Sequence, residues 1–398
     1  MPRQPSAVGG RSVLWSVYLP TFLFTVGQGA VVPVLPLFAL ELGATVVGAG
    51  FLVGLRGVGT MLFNIPAGMM ASRFGERRVM MGATGILALV GFGVALDPSV
   101  LVFGILVLLM GSAWAIFNLA RIAFVADVVP NHQRGLVMST LGGIQRGGAI
   151  VGPLLGAAFA HFVGLSGGFM VQMIMGFAAA ASLYFGMERG RSPRNDDRTA
   201  LLNPREVLIE HRHVFATAGV AVTALQVLRS ARDAAVPLWG ERIGLSASQI
   251  STIFGAMSTV ELALFYPVGL IMDRLGRKWV FIPAAIVMST GLATLPLTNS
   301  FTTIGLVALL TGLGNGLSSG INLTLSSDFA PTLGRPEFLG VWRFITDTGT
   351  AIGPLVISGV TAFASLGIGF LATAGIGAGG LILFWRSVPE TLVRQAPS

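Results

Sequence analysis

Between residues 101 and 117 the chain reads LVFGILVLLMGSAWAIF, seventeen residues without one charge. Runs of this kind leave a folding chain few choices. A helix needs about 20 apolar residues to cross a hydrocarbon core of about 30 Å. A tilted barrel strand would instead alternate polar and apolar over about 10 residues, and these runs do not alternate. Comparable runs can be drawn at 12–40, 46–71, 79–96, 99–125, 136–162 and 166–187. A second set follows at 213–239, 246–271, 279–298, 301–326, 338–364 and 367–387. Charged residues make up 11% of the chain, less than half of the roughly 25% usual in soluble domains. The expected class is an all-α polytopic membrane protein with twelve spans, and a soluble enzyme is excluded. The first span lacks a signal-peptide pattern: its apolar stretch is too long, and ELGAT follows it instead of a small-residue cleavage site.

Residues 188–212 form the one long polar stretch and read as a linker between an N-terminal half, 1–187, and a C-terminal half, 213–398. Within the linker, Leu201, Leu202, Val207, Leu208 and Ile209 could form a short amphipathic helix near 202–210, lying on the membrane. Basic residues fix the expected orientation. With the N-terminus inside, cytoplasmic segments hold Arg3, Arg11, Arg73, Arg77, Arg78, Arg134, six linker arginines, Arg274, Arg277, Lys278, Arg335, Arg386 and Arg394. The opposite loops hold only Arg242. Positive charge concentrates on the cytoplasmic side of membrane proteins, so both termini are expected there, and the net charge of +8 needs no nucleic acid to explain it. Near-exclusive use of arginine over lysine, with abundant Gly and Ala, fits a GC-rich bacterial genome and hence a bacterial inner membrane. The chain has no cysteine and only four histidines (His132, His161, His211, His213), in loops or at span ends. No metal site, cofactor or hydrolase triad is expected, and no Gly-x-x-x-x-Gly-Lys loop exists to bind ATP.

The halves align without gaps at an offset of 201 residues. Pro66 and Gly68 map to Pro267 and Gly269, and Arg73 and Gly75 to Arg274 and Gly276. Asp127 and Pro130 map to Asp328 and Pro331, and Gly152 and Pro153 to Gly353 and Pro354. Gly111, Pro36 and Gly43 likewise find Gly312, Pro237 and Gly244. Two parallel six-span repeats imply a pseudo-two-fold axis along the membrane normal and a site between the halves near mid-membrane.

After span 2, Gly68-Met-Met-Ala-Ser-Arg-Phe-Gly-Glu-Arg-Arg78 resembles the signature loop of the major facilitator superfamily. Its repeat after span 8, Gly269-Leu-Ile-Met-Asp-Arg-Leu-Gly-Arg-Lys278, is a closer match. In span 1, Gly27 followed by Pro33-Val-Leu-Pro36 is similar to the pattern of twelve-span drug:proton antiporters. In span 5, Gly148-x-x-x-Gly152-Pro153-x-x-Gly156 resembles a motif of antiporters in that superfamily. Close helix packing by glycines four apart, with a kink allowed by proline, is the alternative for this last motif. The resemblance implies alternating access, a cavity lined by spans 1, 4, 7 and 10, and contacts of span 5 with 8 and of span 2 with 11. It makes Gly68, Arg73, Gly75, Arg77, Asp127, Gly269, Asp273, Arg274, Gly276, Arg277 and Asp328 conformational-switch residues, with Asp127 holding Arg73 or Arg77. Two departures stand out. Ser72 replaces the acid of the first loop, and Val107 stands where exporters carry an arginine in span 4. The proton-handling assignment of that family therefore does not transfer.

Nine charges fall within the expected spans: Arg56, Arg121, Arg146, Arg229, Arg232, Asp233, Glu261, Arg343 and Asp347. At about 2.5–3.5 kcal/mol each, nine unpaired charges would cost on the order of 25 kcal/mol, more than a typical fold's stability. They must face water or one another. Arg146 and Glu261 sit about 11 and 10 residues from the cytoplasmic ends of spans 5 and 8, at matching depth. They are a candidate pair across the halves, either titrating as the halves part or static. Arg56 and Asp347 are a second candidate pair, mismatched in depth by about 7–8 Å. Arg229, Arg232 and Asp233 share a face of span 7. One arginine is available to substrate, unless helix carbonyls or neighbouring spans hold both. Arg121 is read as snorkelling toward the cytoplasmic side. Gln28, Asn118, Gln226, Asn315 and Asn322 are candidate cavity residues or interhelical links. The intramembrane excess of three positive charges favours an anionic or neutral substrate. The expected function is proton-coupled export of a small amphipathic compound by a monomer in contact with lipid. Proton-coupled uptake of an organic anion and lipid flipping are the alternatives.

Overall fold

The computed structural model describes residues 14–129, 131–186, 204–331 and 334–392. Arg3, Arg11, Arg394, the linker as far as residue 203 and the side chains of Ser72, Asp127 and Arg134 lie outside that description. Every regular element among the described residues is helical.

Among the described residues, ten helices are long and apolar enough to cross a membrane, and a bent pair, Trp15–Val31 with Leu35–Glu41, makes an eleventh candidate. The one remaining expected segment, 338–364, is the helix Arg335–Phe363, long enough but carrying Arg335, Glu337, Arg343 and Asp347. In chain order the spans are that bent pair, Val46–Phe74, Glu76–Val94, Val100–Val128, Asn131–Val163, Ser166–Gly186, Arg212–Arg242, Ala247–Arg274, Lys278–Thr294, Phe301–Phe329, Arg335–Phe363 and Leu366–Ser387.

The repeat is imperfect in two informative places. Span 1 breaks with a 43° bend between Val31 and Leu35, whereas its counterpart in span 7 runs unbroken as Val220–Arg242. Each proline removes one helical N–H and crowds the turn before it. Span 1 carries Pro33 and Pro36, while span 7 has Ala234 and Pro237 at those positions. One proline bends a helix; two in one turn end it. Span 10 differs the other way. It stops at Leu317 and restarts at Ile321, with Gly320 in a left-handed conformation at φ 79°. Span 4 crosses the equivalent point, Phe117-Asn118-Leu119, as one helix.

The chain divides into two compact units. The first comprises 1–43, 58–194 and 247–255, and the second 44–57, 195–246 and 256–398. In the first unit span 5 lies against span 1. A Cβ on Gly152 would sit 2.5 Å from the Val26 carbonyl oxygen, and one on Gly156 2.9 Å from that of Ala30. The second unit repeats this contact, with Gly349 and Gly353 of span 11 against Thr223–Ala231 of span 7. The glycine motif of span 5 is therefore a close-packing device, and it recurs at the matching place in the other repeat. The first unit's core includes Phe24 stacked on Phe117 at 4.0 Å and the trio Phe38, Phe103 and Phe169. The second unit's core holds a stack of Phe215, Phe338 and Trp342, with Phe329 on its edge. The short helix Pro204–Glu210 belongs to this unit. Its Val207 is buried, while Leu208 and Ile209 are exposed.

The outward faces are apolar. Phe162, Phe185 and Phe363 are 83%, 84% and 95% exposed, a cost water would not tolerate but lipid does.

Candidate transport site and signature loops

In the second unit, spans 7 and 8 meet through charge. Arg232 pairs with Glu261 at 2.5 Å and reaches Asp233 at 3.6 Å. The Arg232 and Glu261 side chains are 11% and 12% exposed. Such burial is tolerable only because the ions satisfy each other. Arg56, in the segment 44–57 of the same unit, interacts electrostatically with Asp233. Arg343 and Asp347 form an i,i+4 pair at 3.5 Å. Glu261 and Asp347, each expected to face a cation of the other half, thus have cationic partners inside the second unit.

Arg229 is held differently. Its Nε and Nη2 donate to the Ser318 hydroxyl and carbonyl, and its Nη1 to Gln226 Oε1 at 2.9 Å. The alternative in which a helix carbonyl holds a span 7 arginine therefore applies to this one. The Ser318 carbonyl also accepts the Ile321 N–H at 3.4 Å, and a guanidinium at the end of a half-helix faces the negative end of its dipole. Ser318 Oγ in turn donates to the Asn315 carbonyl at 2.8 Å. Asn322 accepts from Trp342 Nε1 at 2.7 Å.

In the first unit, Arg121 does not snorkel. It is 5% exposed, and its Nη2 donates to Asn118 Oδ1 at 2.8 Å. Gln145 joins them, and with its amide reversed it accepts from Arg121 at 3.0 Å. Gln28, which the repeat places opposite Arg229, donates to the Met110 carbonyl at 3.5 Å. Two residues the sequence reading passed over belong here. Gln145 lies one residue before Arg146. Gln172 of span 6 is fully buried with both amide atoms unpartnered; a lone glutamine in an apolar run was its only signal.

The two loops that resemble the family signature reproduce the repeat in three dimensions. Arg77 donates to the Tyr184 carbonyl at 2.6 Å, and Lys278, its repeat equivalent, to the Trp385 carbonyl at 3.4 Å. In the second loop Arg277 pairs with Asp328 at 2.8 Å; Asp127, the equivalent of Asp328 in the first loop, lies outside the described side chains. At the equivalent of Arg277 the first loop has Glu76. The second loop has a further clasp that sequence reasoning missed. Glu390, just past span 12, accepts from the backbone N–H groups of Arg277 and Lys278 at 2.8 and 3.0 Å. It thereby caps the start of span 9 with a carboxylate. Thr391 donates to Asp328 at 2.6 Å. Burial pushes the Glu390 carboxyl up, but four backbone N–H bonds outweigh it and hold the group below its ordinary value of 4.5.

Comparison with known proteins agrees with this architecture. The profile of the Major Facilitator Superfamily matches residues 17–232 and 219–397. A relative, "Multidrug resistance protein MdtG" of Salmonella typhi, is 26% identical over 386 residues, covering 93% of this chain and 94% of the relative. An "Uncharacterized MFS-type transporter MJ1560" of Methanocaldococcus jannaschii is 20% identical over 341 residues, covering 85% and 88%. Among solved structures, a D-xylose-proton symporter superposes with a TM-score of 0.73 at 17% identity, over 97% of this chain and 99% of that one. The xylose transporter XylE from E. coli, in a partially occluded inward open conformation, gives 0.75 at 16% identity, over 97% and 100%. These two likenesses speak to fold alone. This multi-pass membrane protein belongs to the Major Facilitator Superfamily of secondary transporters.

Proposed function

We propose that this protein exports a small amphipathic organic compound, neutral or anionic, in exchange for protons across a bacterial inner membrane. Both termini are cytoplasmic, and a monomer is the transporting form. The halves 1–187 and 213–398, joined by the linker 188–212, are the bodies that rock. The observation that carries the reading is the buried Arg232–Glu261 pair with Asp233 beside it. A carboxylate held by a cation is charged; separated from it in an apolar setting, the same group takes up a proton. Glu261 is the coupling group, with Arg232 its partner in this conformation and Arg146 its partner in another. Arg56 and Asp347 form the second bridge of that other conformation. The similarity to a multidrug resistance protein over almost the whole chain supports export over uptake.

The test uses inside-out vesicles acidified by respiration, with a pH-sensitive dye reporting proton leakage. Protein-dependent dissipation is expected on adding neutral or anionic amphiphiles, and Glu261→Gln should abolish it. If no class of amphiphile dissipates the gradient, the antiport reading falls. Cysteines at 146 and 261 should cross-link in one conformation of this otherwise cysteine-free chain; failure under all conditions rules out their pairing.

A further inference from the structure

The first unit has a cavity of about 380 Å³ at the end of span 3 that lies away from its signature-like loop. That volume falls in the range of small-molecule pockets. Its wall comes from three parts of the chain. Phe38 and Glu41 belong to the end of span 1, Val94 and Asp97 to the end of span 3 and the turn after it, and Met170 and Met173 to span 6. The wall is mainly apolar, and Glu41 and Asp97, both exposed, bring its only charges. Among the described residues neither carboxylate has an ion pair or a hydrogen-bond partner. The turns at this end of the unit, 41–45, 95–99 and 162–167, contain no Lys, Arg or His. His161, just before the last of them, packs edge-on against Phe162. The mouth of the cavity is therefore an acidic rim on an apolar chamber.

The packing of spans 3 and 6 shows what the chamber opens onto. The two helices run in opposite directions and touch at two glycines. A Cβ on Gly91 would sit 2.6 Å from the Phe169 carbonyl oxygen and 2.7 Å from Met173 Cβ, and one on Gly176 would sit 3.0 Å from the Ala88 nitrogen. In an antiparallel pair, one step along the chain from a contact position turns each helix by about 100°, and both turn toward the same side. The residues one step past these contacts are Leu89 and Phe92 on span 3, and Met170, Ile174 and Phe177 on span 6. All five are exposed. They form the two walls of an apolar furrow facing lipid, about 10 Å long from Met170 to Phe177. Met170 belongs to both furrow and cavity, so the furrow ends at the acidic mouth.

We infer that this furrow and cavity bind a phospholipid with a primary ammonium head group, the ammonium at Glu41 and Asp97 and one acyl chain along spans 3 and 6. Charge selects the head: two carboxylates attract a cation and repel an anionic lipid. A primary ammonium also has three N–H donors for their oxygens, whereas a quaternary ammonium has none. The lipid-facing furrow makes the bilayer, not the aqueous phase, the source of the ligand. The site uses none of the residues assigned to transport, and the inference is independent of the direction and coupling of transport.

The experiment incubates the purified full chain, in detergent, with phosphatidylethanolamine, phosphatidylcholine or phosphatidylglycerol of identical acyl chains, and counts retained lipid by native mass spectrometry. Phosphatidylethanolamine should be retained, one molecule per chain, in preference to the other two. Combining Glu41→Gln with Asp97→Asn should weaken that binding about tenfold, as expected when hydrogen bonds to charged groups are removed, and leave phosphatidylcholine unaffected. Because neither carboxylate has a partner in the chain, the lipid-free unfolding midpoint of the double variant should match the parent's. Decylamine, a soluble source of the same head group, should displace the lipid only in large excess. Four results would overturn the site: equal retention of the three lipids, unchanged phosphatidylethanolamine binding in the double variant, a lowered lipid-free midpoint in that variant, or displacement by decylamine at equal concentration.

Discussion

Arg232 and Glu261 are costly to bury singly and tolerable together. Removing one partner strands the other charge in an apolar site, at about 3–5 kcal/mol. Arg232→Gln should therefore lower unfolding stability by about that amount, and Glu261→Gln likewise. The double variant should lose much less than the two losses added, in a double-mutant cycle followed by thermal unfolding. Strict additivity would mean that the pair is not coupled. Glu390 makes a prediction of opposite exposure. Its carboxyl titrates below 4.5 when bound to the span 9 backbone, so the clasp contributes stability above that pH. The contribution disappears as pH falls through the depressed folded value. Hydrogen exchange at the Arg277 and Lys278 amides should accelerate on acidification, and Glu390→Gln should remove that dependence. The sequence announced the charged residues of the spans individually but not their partners. Arg232 and Asp233 are adjacent and Glu261 lies 29 residues away, so depth counting alone gave Arg146 as its match. Glu390 was invisible because nothing local marks a carboxylate that caps a helix more than a hundred residues earlier.

At the scale of elements, proline and glycine decide where helices stop and how closely they approach. Gly152 faces span 1 backbone, so Gly152→Val should cost about 1–3 kcal/mol through overpacking and reduce the yield of folded protein. Gly269 has open space where a Cβ would go, so Gly269→Ala should express and unfold like the parent. A severe loss at Gly269 would show that another conformation closes on it. The loop glycines Gly75 and Gly276 are a different case, with φ of 81° and 117°, a region only glycine enters freely. These distinctions were half legible. Spacing marked the glycines of span 5 as a close-contact face, whereas the apolar run 12–40 reads as one continuous span and does not show the bend at Pro33–Pro36. The break at Ser318–Gly320 left no such signature, since Ser-Ser-Gly within an apolar run also suits an ordinary packed helix.

For the whole molecule, the apolar runs and the 201-residue offset were enough to reach the architecture, because a bilayer permits so few solutions. What composition could not deliver was the polarity of the helix Arg335–Phe363 as a structural fact: its charges look like a reason to deny it a span until Arg343 is seen beside Asp347. Orientation is testable directly. With cysteines introduced at Arg386 and Asp97, an impermeant maleimide added to intact cells should label only the second. Labelling of the first would invert the topology. The Lys278 ammonium reaches the Trp385 carbonyl. Trp279 and Trp385 are 64% and 63% exposed, at the level where indoles favour the boundary between lipid and water. They are natural fluorophores set beside the signature-like loop that ends at Lys278. Brominated lipid should quench them without any label, so the protein carries its own optical gauge of how the bilayer meets that loop.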